Sequence, residues 1–131
     1  MSQDRPRDRL GRPLPENADA SLIVPGVALD EEISDNEAWR AAMSYLDAGM
    51  PFHAHEVFEL QWRNAAVADR AAWKALAQWG AALTHDARGN PVGAATVAKR
   101  ALATLNAATH VPAVIEIALV RESCERLSAA S

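Results

Sequence analysis

Residues 73–105 read WKALAQWGAALTHDARGNPVGAATVAKRALATL, and this stretch decides the fold of the chain. Alanine, the strongest helix former, recurs throughout it, and its apolar residues recur at helical spacing. Near its middle, Gly89 can take the positive φ that ends a helix, Asn90 can cap the next helix, and Pro91 suits a first turn. The stretch therefore predicts two helices joined by a tight turn.

Helical patterns continue on both sides of this stretch. Ser34 or Asp35 can cap a first helix, with Glu37 in its first turn and Gly49 after its end. The last segment, VPAVIEIALV, is rich in β-branched residues, but its length and the lack of a partner strand favour a helix. The chain is therefore predicted to be all-α, with a compact bundle of four to five helices over residues 34–131. The predicted helices span about 35–48, 51–64, 69–88, 91–106 and 112–127.

Residues 1–33 are predicted to form an irregular N-terminal arm. They hold four of the seven prolines and show no sustained apolar period. The apolar residues Leu22, Ile23 and Val24 are the part of the arm that we expect to pack against the bundle. At 131 residues, the chain is long enough for one domain with one hydrophobic core.

The composition narrows the range of partners. The formal net charge is −4, and phosphate binding needs clustered Lys and Arg, so we expect no nucleic acid partner. The longest apolar stretch is too short to cross a membrane, so we expect no membrane partner. Cys124 is the only cysteine, which excludes an intramolecular disulfide. No secretory signal follows Met1, and we therefore expect a cytoplasmic location.

The segment PFHAHEVFELQWR, residues 51–63, contains the candidate functional residues. A helix advances about 100° per residue, so most of its polar side chains share one stripe and His53 lies on the opposite side. The next helix carries a second polar stripe, and antiparallel packing would bring the two stripes together. The first stripe comprises His55, Glu56, Glu59, Trp62 and Arg63, and the second comprises Gln78, Ala81, His85 and Arg88.

One interpretation of these stripes is a metal or small-ligand site formed by His55, Glu56, Glu59 and His85. Imidazole and carboxylate groups suit divalent metals such as zinc, iron, manganese or nickel, and helical bundles place such ligands on facing helices. The zinc-protease pattern His-Glu-x-x-His is not met, since Glu59 stands at the second histidine position. The Glu-x-x-His pairs of ferritin-like proteins are also missing.

A second interpretation is a buried structural network. Glu59 and Arg63 are spaced as an i, i+4 pair, and His55 can bond to Glu59 one turn away. Removing one partner of a buried charged pair costs about 3–5 kcal/mol, which is enough to explain these residue types without a ligand. A third interpretation is a hydrolase-type enzyme with Glu56 or Glu59 as the general base, although no nucleophile, oxyanion site or metal signature accompanies these residues.

Two further predictions concern binding surfaces. Arg88, with Asn90 at the start of the fourth helix, could hold an anion, although a satisfied helix cap beside a surface arginine also explains both residues. Trp79 is predicted to lie on the surface or in an interface, while Trp73 is predicted to lie in the core. With the alanine-rich helices, an exposed tryptophan would indicate a helical interaction module or a homo-oligomer.

The segments GMPFHAHEVFELQWR, residues 49–63, and 73–105 together resemble the domain of unknown function 309 family. Members of that family share a His-x-His-Glu-x-x-Glu-x-x-Trp motif and a following helix that ends in Arg-Gly-Asn. The upstream RDRLGRPLP, residues 7–15, is also similar to the arm of some members. The resemblance implies a small all-α bundle without an assigned reaction. The matching positions are His55, Glu56, Glu59, Trp62, Gln78, His85, Arg88, Gly89 and Asn90.

Overall fold

The computed structural model describes residues 33–129. Within this range the chain forms five helices and no strand, which confirms the predicted all-α fold. The predicted arm, residues 1–33, lies outside the described residues except for Ile33. The helices are α1 (Asp35–Asp47), α2 (Pro51–Asn64), α3 (Val67–Ala87), α4 (Pro91–Ala107) and α5 (Ile117–Ala129).

The first helix begins at the capping residues that the sequence indicates. The Ser34 hydroxyl accepts a hydrogen bond from the Glu37 backbone N–H at 3.1 Å, and the Glu37 carboxylate accepts one from the Ser34 N–H at 3.0 Å. This reciprocal pair satisfies two donors at the helix start. Gly49, with a φ of 75°, then reverses the chain before Pro51 opens α2.

The third helix, α3, lies at the centre of the bundle. It packs against α2, α4 and α5, while α1 packs on α2. Small alanine side chains on α3 let its neighbours approach closely. The middle of the core is filled by Trp73 and Leu76 of α3 and by Phe58 of α2. The buried residues of α3 cover more than half of the circumference of the helix and leave the side of Lys74 open: Ala72, Trp73, Ala75, Leu76, Ala77, Trp79, Gly80, Ala82 and Thr84.

The second and third helices cross at Gly80 with almost no space between their backbones. A Cβ atom placed on Gly80 would lie 2.8 Å from the His55 Cα and 3.0 Å from the His55 Cβ. Any larger residue at this position would therefore push α2 away from α3. The absence of a side chain on Gly80 fixes where His55 sits relative to α3.

The predicted surface position of Trp79 is wrong. Its side chain is only 2% exposed, and its indole N–H donates a hydrogen bond to the Ser123 hydroxyl at 2.8 Å. Its ring also packs near Phe58, with the ring centroids 5.9 Å apart. The prediction failed because α5 covers this side of α3, and that docking could not be inferred from the pattern of α3 alone.

The fifth helix begins later than predicted. Its first residue is Ile117, whereas the sequence pattern placed the start near Pro112. Residues 112–116 form a turn instead, in which the Ile115 N–H donates to the Pro112 carbonyl at 3.1 Å and the Ile115 side chain is buried. β-Branched residues gain less from a helix than others do, so packing decides the conformation here.

None of the helices within residues 33–129 is both long and apolar enough to span a membrane.

Candidate ligand-binding site

A small cavity lies between α2 and α3, with a volume of about 150 Å³. We call it the α2–α3 cavity. Its α3 lining residues are spaced at i, i+3, i+4 and i+7, and its α2 lining residues at i and i+3, so each helix contributes one face. The lining residues are Phe52 and His55 from α2, Ala81, Thr84 and His85 from α3, and Arg88, the C-cap residue directly after α3.

The His55 imidazole enters the cavity from α2. The close crossing at Gly80 sets its position, and its side chain is 22% exposed. Burial lowers the pKa of His55 below its ordinary value, and the nearby Glu59 only partly opposes this effect. The Nε2 atom lies 3.8 Å from a Glu59 carboxylate oxygen, too far for a hydrogen bond. His55 is therefore a neutral imidazole at neutral pH.

The His85 imidazole is oriented by the turn between α3 and α4. The Asn90 side-chain oxygen accepts a hydrogen bond from the Gly93 N–H at 3.0 Å, so its NH₂ group is the part that faces His85. This NH₂ can only donate, and it lies 3.1 Å from His85 Nδ1. Nδ1 must then accept, which leaves the proton of neutral His85 on Nε2. The predicted Asn90 cap is confirmed, and it also sets the His85 tautomer.

Arg88 closes the α3 side of the cavity. Its guanidinium carbon lies 6.0 Å from the centre of the Phe52 ring, within the range of a cation–π contact. This contact links the end of α3 to the start of α2 across the cavity. The Thr84 hydroxyl donates to the Gly80 carbonyl at 2.8 Å, so its oxygen can only accept a hydrogen bond from a ligand.

The two predicted polar stripes meet only in part. His55, Ala81, His85 and Arg88 share the cavity, as antiparallel packing of α2 and α3 would require. The sequence reasoning missed Phe52 and Thr84, although their helical spacing from His55 and Ala81 was a sufficient signal. The predicted residues that do not line the cavity are Glu56, Glu59, Trp62, Arg63, Gln78 and Asn90.

The prediction that the polar cluster is buried is wrong. The Glu59 side chain is 41% exposed and the Arg63 side chain 56% exposed, and the two groups lie 4.0 Å apart. The Trp62 ring is half-buried, and the Lys74 ammonium lies 5.7 Å from its centre. The fully buried face of α2 is instead the opposite one, which carries Ala54, Val57 and Phe58. The polar stripe of α2 therefore runs along the edge of the helix packing.

The predicted metal ligands His55, Glu56, Glu59 and His85 do not gather at one point. Within residues 33–129, no group of three or more His, Cys, Asp or Glu side chains is placed to hold a metal ion. The α2–α3 cavity contains two of the four predicted ligands. Metal binding by this set remains a prediction.

A larger groove of about 570 Å³ lies on another side of α3, between α1 and α5. Its lining includes the apolar side chains of Met43, Leu46 and Leu83. The charged groups on its α5 side pair with each other, with Arg126 and Glu122 3.2 Å apart. The Ser123 hydroxyl in its lining is likewise engaged within the protein, since it accepts the hydrogen bond of the Trp79 indole.

Residues 39–97 match the family model described as Domain of unknown function (DUF309). This segment is a DUF309 domain. The match confirms the family prediction made from the sequence, and it includes every residue that lines the α2–α3 cavity. The family description assigns no function. No curated protein and no solved structure matches the chain.

Proposed function

We propose that this DUF309 protein is a small-ligand-binding helical module and that the α2–α3 cavity is its binding site. The observation that carries the proposal is the convergence of two imidazoles from different helices, with a guanidinium, on one cavity. Specific ligand sites have this composition: mostly apolar walls and a few polar groups that face the same space. Phe52 and Ala81 supply the apolar walls here.

The size of the cavity restricts the ligand to a small molecule. Cavities that hold drug-sized ligands measure about 300–1,000 Å³, and the α2–α3 cavity is smaller, at about 150 Å³. One water molecule takes roughly 30 Å³ in the liquid, so the cavity has room for a ligand of a few heavy atoms. The proposed ligand is therefore a compact metabolite or an inorganic ion, not a nucleotide-sized cofactor.

The purely structural interpretation explains these residues less well. The His55–Glu59 and Glu59–Arg63 pairs have separations of 3.8 and 4.0 Å, and Glu59 and Arg63 are substantially exposed. Exposed pairs of this kind contribute about 0–1 kcal/mol, well below the value of a buried pair. The pairs that Glu59 makes with His55 and Arg63 would thus add little to the stability of the fold.

The alternative functions are supported by fewer observations. A general base of a hydrolase-type enzyme needs an apolar surrounding, whereas the Glu59 side chain is 41% exposed. Homo-oligomerisation, a cytoplasmic location and the expected lack of a nucleic acid partner remain predictions. Sedimentation at increasing concentration tests the first of them, because a strictly monomeric protein would contradict it.

The proposed function is tested by titrating the whole protein, labelled with ¹⁵N at histidine, while recording NMR spectra. The probes are acetate, methylammonium, acetone and Zn²⁺ alone, which cover an anion, a cation, a neutral molecule and a metal. We expect at least one probe to shift the His55 and His85 signals in a saturable way, with no change at His110, whose side chain is 60% exposed elsewhere. Saturable shifts at neither residue with any probe would contradict the proposal.

A pair of alanine substitutions on α3 provides the matched control. Ala81→Leu places three extra carbon atoms at the wall of the cavity, and we expect it to abolish the saturable shifts. Ala68→Leu makes the same change at an exposed position of α3 and should leave binding unchanged. Equal binding by the two variants would show that the probe occupies another site.

A further inference from the structure

The groove of about 570 Å³ between α1 and α5 exposes apolar side chains. We call it the α1–α5 groove. Among residues 33–129, Leu119 is one of three large hydrophobic residues that are exposed, and it lines this groove at 42% exposure. Met43, Leu46 and Leu83 in the same lining are only partly buried. Because water contact with apolar surface is unfavourable, a segment that covered this groove would stabilise the fold.

The two helices that border the groove do not pack on each other. Helix α1 packs on α2, and α5 packs on α3 and α4, while the backbones of α1 and α5 stay apart. Trp79 and Leu83 of α3 line the groove between them. A chain segment placed there would contact α1 and α5 at once, and it would supply a connection between these helices that the helix packing itself does not make.

A second depression continues from the α1–α5 groove along α1. It measures about 470 Å³, and it shares Met43 and Asp47 with the groove. Its lining on α1 follows one face of the helix back to Asn36 in the first turn. The described chain begins beside that turn, at Ile33, whose side chain is partly buried against the core. A segment that precedes Ile33 can therefore follow α1 into the groove.

The N-terminal arm has the length to reach the groove. Residues 1–32 lie outside the described range and join it at Ile33. The apolar run Leu22–Val24 precedes Ile33 by nine to eleven positions. Nine residues of extended chain span about 30 Å, whereas a helix of 13 residues such as α1 is about 20 Å long. The apolar run can therefore pass the end of α1 and reach the α1–α5 groove.

The order of polar and apolar residues in the arm matches the order of the two depressions. Directly before Ile33 stand three acidic residues, Asp30–Glu32, and the apolar run Leu22–Val24 comes farther from α1. The depression beside the start of α1 includes the charged residues Arg40 and Glu116 in its lining, and the α1–α5 groove is the more apolar of the two. An arm that follows α1 would thus bring its polar part to the polar depression and its apolar part to the apolar groove.

We propose that Leu22, Ile23 and Val24 of the N-terminal arm dock in the α1–α5 groove of the same chain. A tethered segment is present at an effective concentration that is roughly millimolar, and a second copy reaches such a concentration only in very concentrated samples. Pro25 restricts Val24 to extended backbone, so the segment loses less entropy when it docks. The docked segment covers Leu119 and ties α1 to α5. This proposal is independent of the ligand proposed for the α2–α3 cavity.

The test places a nitroxide spin label on the arm of the whole protein and records the methyl NMR signals. The label is attached at Ala20→Cys in a Cys124→Ala background, which removes the other thiol and keeps all three apolar residues of the arm. We expect strong broadening at Leu83 in the groove and a sharp signal from Val67, about 24 Å away along α3. Equal broadening at Leu83 and Val67, or broadening at neither, would overturn the proposal.

A pair of double variants of the labelled protein shows which part of the arm docks. We expect Leu22→Asp with Val24→Asp to restore the Leu83 signal, because two carboxylates cannot enter an apolar groove without a large desolvation cost. Leu10→Asp with Leu14→Asp makes the same chemical change in another part of the arm, and it should leave the broadening unchanged. Equal effects of the two double variants would overturn the assignment of the groove to Leu22–Val24.

A mixing experiment distinguishes docking within one chain from docking between two copies. Spin-labelled protein at natural isotope abundance is mixed with ¹³C-methyl-labelled protein that carries no spin label. We expect the Leu83 signal to stay sharp in this mixture, since the arm of each chain covers its own groove. Broadening of Leu83 in the mixture would show that the groove receives the arm of a second copy, and it would overturn the proposal.

Discussion

Replacing Gly80 with alanine tests the helix crossing on which the candidate site depends. The new Cβ would lie 2.8 Å from the His55 Cα and 3.2 Å from the His55 backbone nitrogen. Ordinary contacts begin near 3.4 Å, so the two atoms must move apart by about 0.6 Å. Because the nearest atoms belong to the backbone of α2, no side-chain rotation relieves the contact, and the helices themselves have to separate.

The magnitude follows from two opposing effects. Overpacking of a tight contact costs about 1–3 kcal/mol, and a backbone contact belongs at the upper end of that range. Alanine gains about 1 kcal/mol over glycine in a helix interior. We therefore expect Gly80→Ala to lower the free energy of unfolding by about 2 kcal/mol. For a domain of this size, this loss corresponds to a fall in Tm of about 8–16 °C.

The assay is thermal and urea unfolding of the wild type, Gly80→Ala and Gly93→Ala. Gly93 also lies in a helix, but the atoms that its Cβ would meet are the side-chain ends of Asn90 and His85, which can turn away. The higher helix propensity of alanine stabilises the variant, and the weakened Asn90 cap destabilises it by about 1 kcal/mol. The free energy of unfolding of Gly93→Ala should therefore stay close to that of the wild type. If Gly80→Ala were as stable as Gly93→Ala, the backbone crossing at His55 would be refuted.

The remaining predictions concern α5 and the imidazole of α2. Ser123→Ala leaves the buried indole N–H of Trp79 without its acceptor and should lower the free energy of unfolding in urea by about 1–3 kcal/mol. The control is Ser128→Ala, which should lower it by almost nothing, because the Ser128 hydroxyl bonds to a backbone carbonyl of its own helix. Burial raises the pKa of the Cys124 thiol to about 11. Native protein at pH 8 should therefore react with a thiol reagent far more slowly than urea-unfolded protein does, and equal rates would contradict the burial of Cys124. Because the pKa of His55 lies below its ordinary value of 6.5, the unfolded chain takes up a proton more readily as the pH falls, and stability should decrease from pH 7 to pH 5. This decrease should be smaller in His55→Gln, and an identical pH profile would count against the burial of the imidazole.

The helix boundaries could be predicted well wherever the chemistry of the backbone decides them. Gly49 and Gly89 both adopt positive φ, and Ser34 and Asn90 both cap the following helix, as the residue types require. These signals are local, so they can be recognised in the sequence without knowledge of any tertiary contact. The start of α5 lacks such a signal, since neither a cap residue nor a glycine precedes it, and there the prediction was wrong by about five residues.

Helical periodicity could predict only part of the site. Periodicity places His55 on one stripe of α2 and His85 on one stripe of α3, and both line the cavity. It does not give the rotation of each helix about its axis, so Glu56 and Glu59 were predicted to face inward with His55. The close approach at Gly80 determines that rotation, because it brings the backbone of α2 at His55 against α3. Gly80 therefore indicates the position of His55 in the site better than Glu56 and Glu59 do.

The bond between Trp79 and Ser123 has a consequence for how a minimal fragment of this protein could be made. The DUF309 match stops at Val97, midway along α4, and omits α5 entirely. A fragment cut at these limits would expose the indole of Trp79 and the apolar surface that Val120 and Cys124 cover, and it would lose half of a helix that packs on α3. Such a piece should aggregate or stay unfolded, so the limits of the family match do not mark an autonomous folding unit. Expression trials on relatives should retain the C-terminal helix.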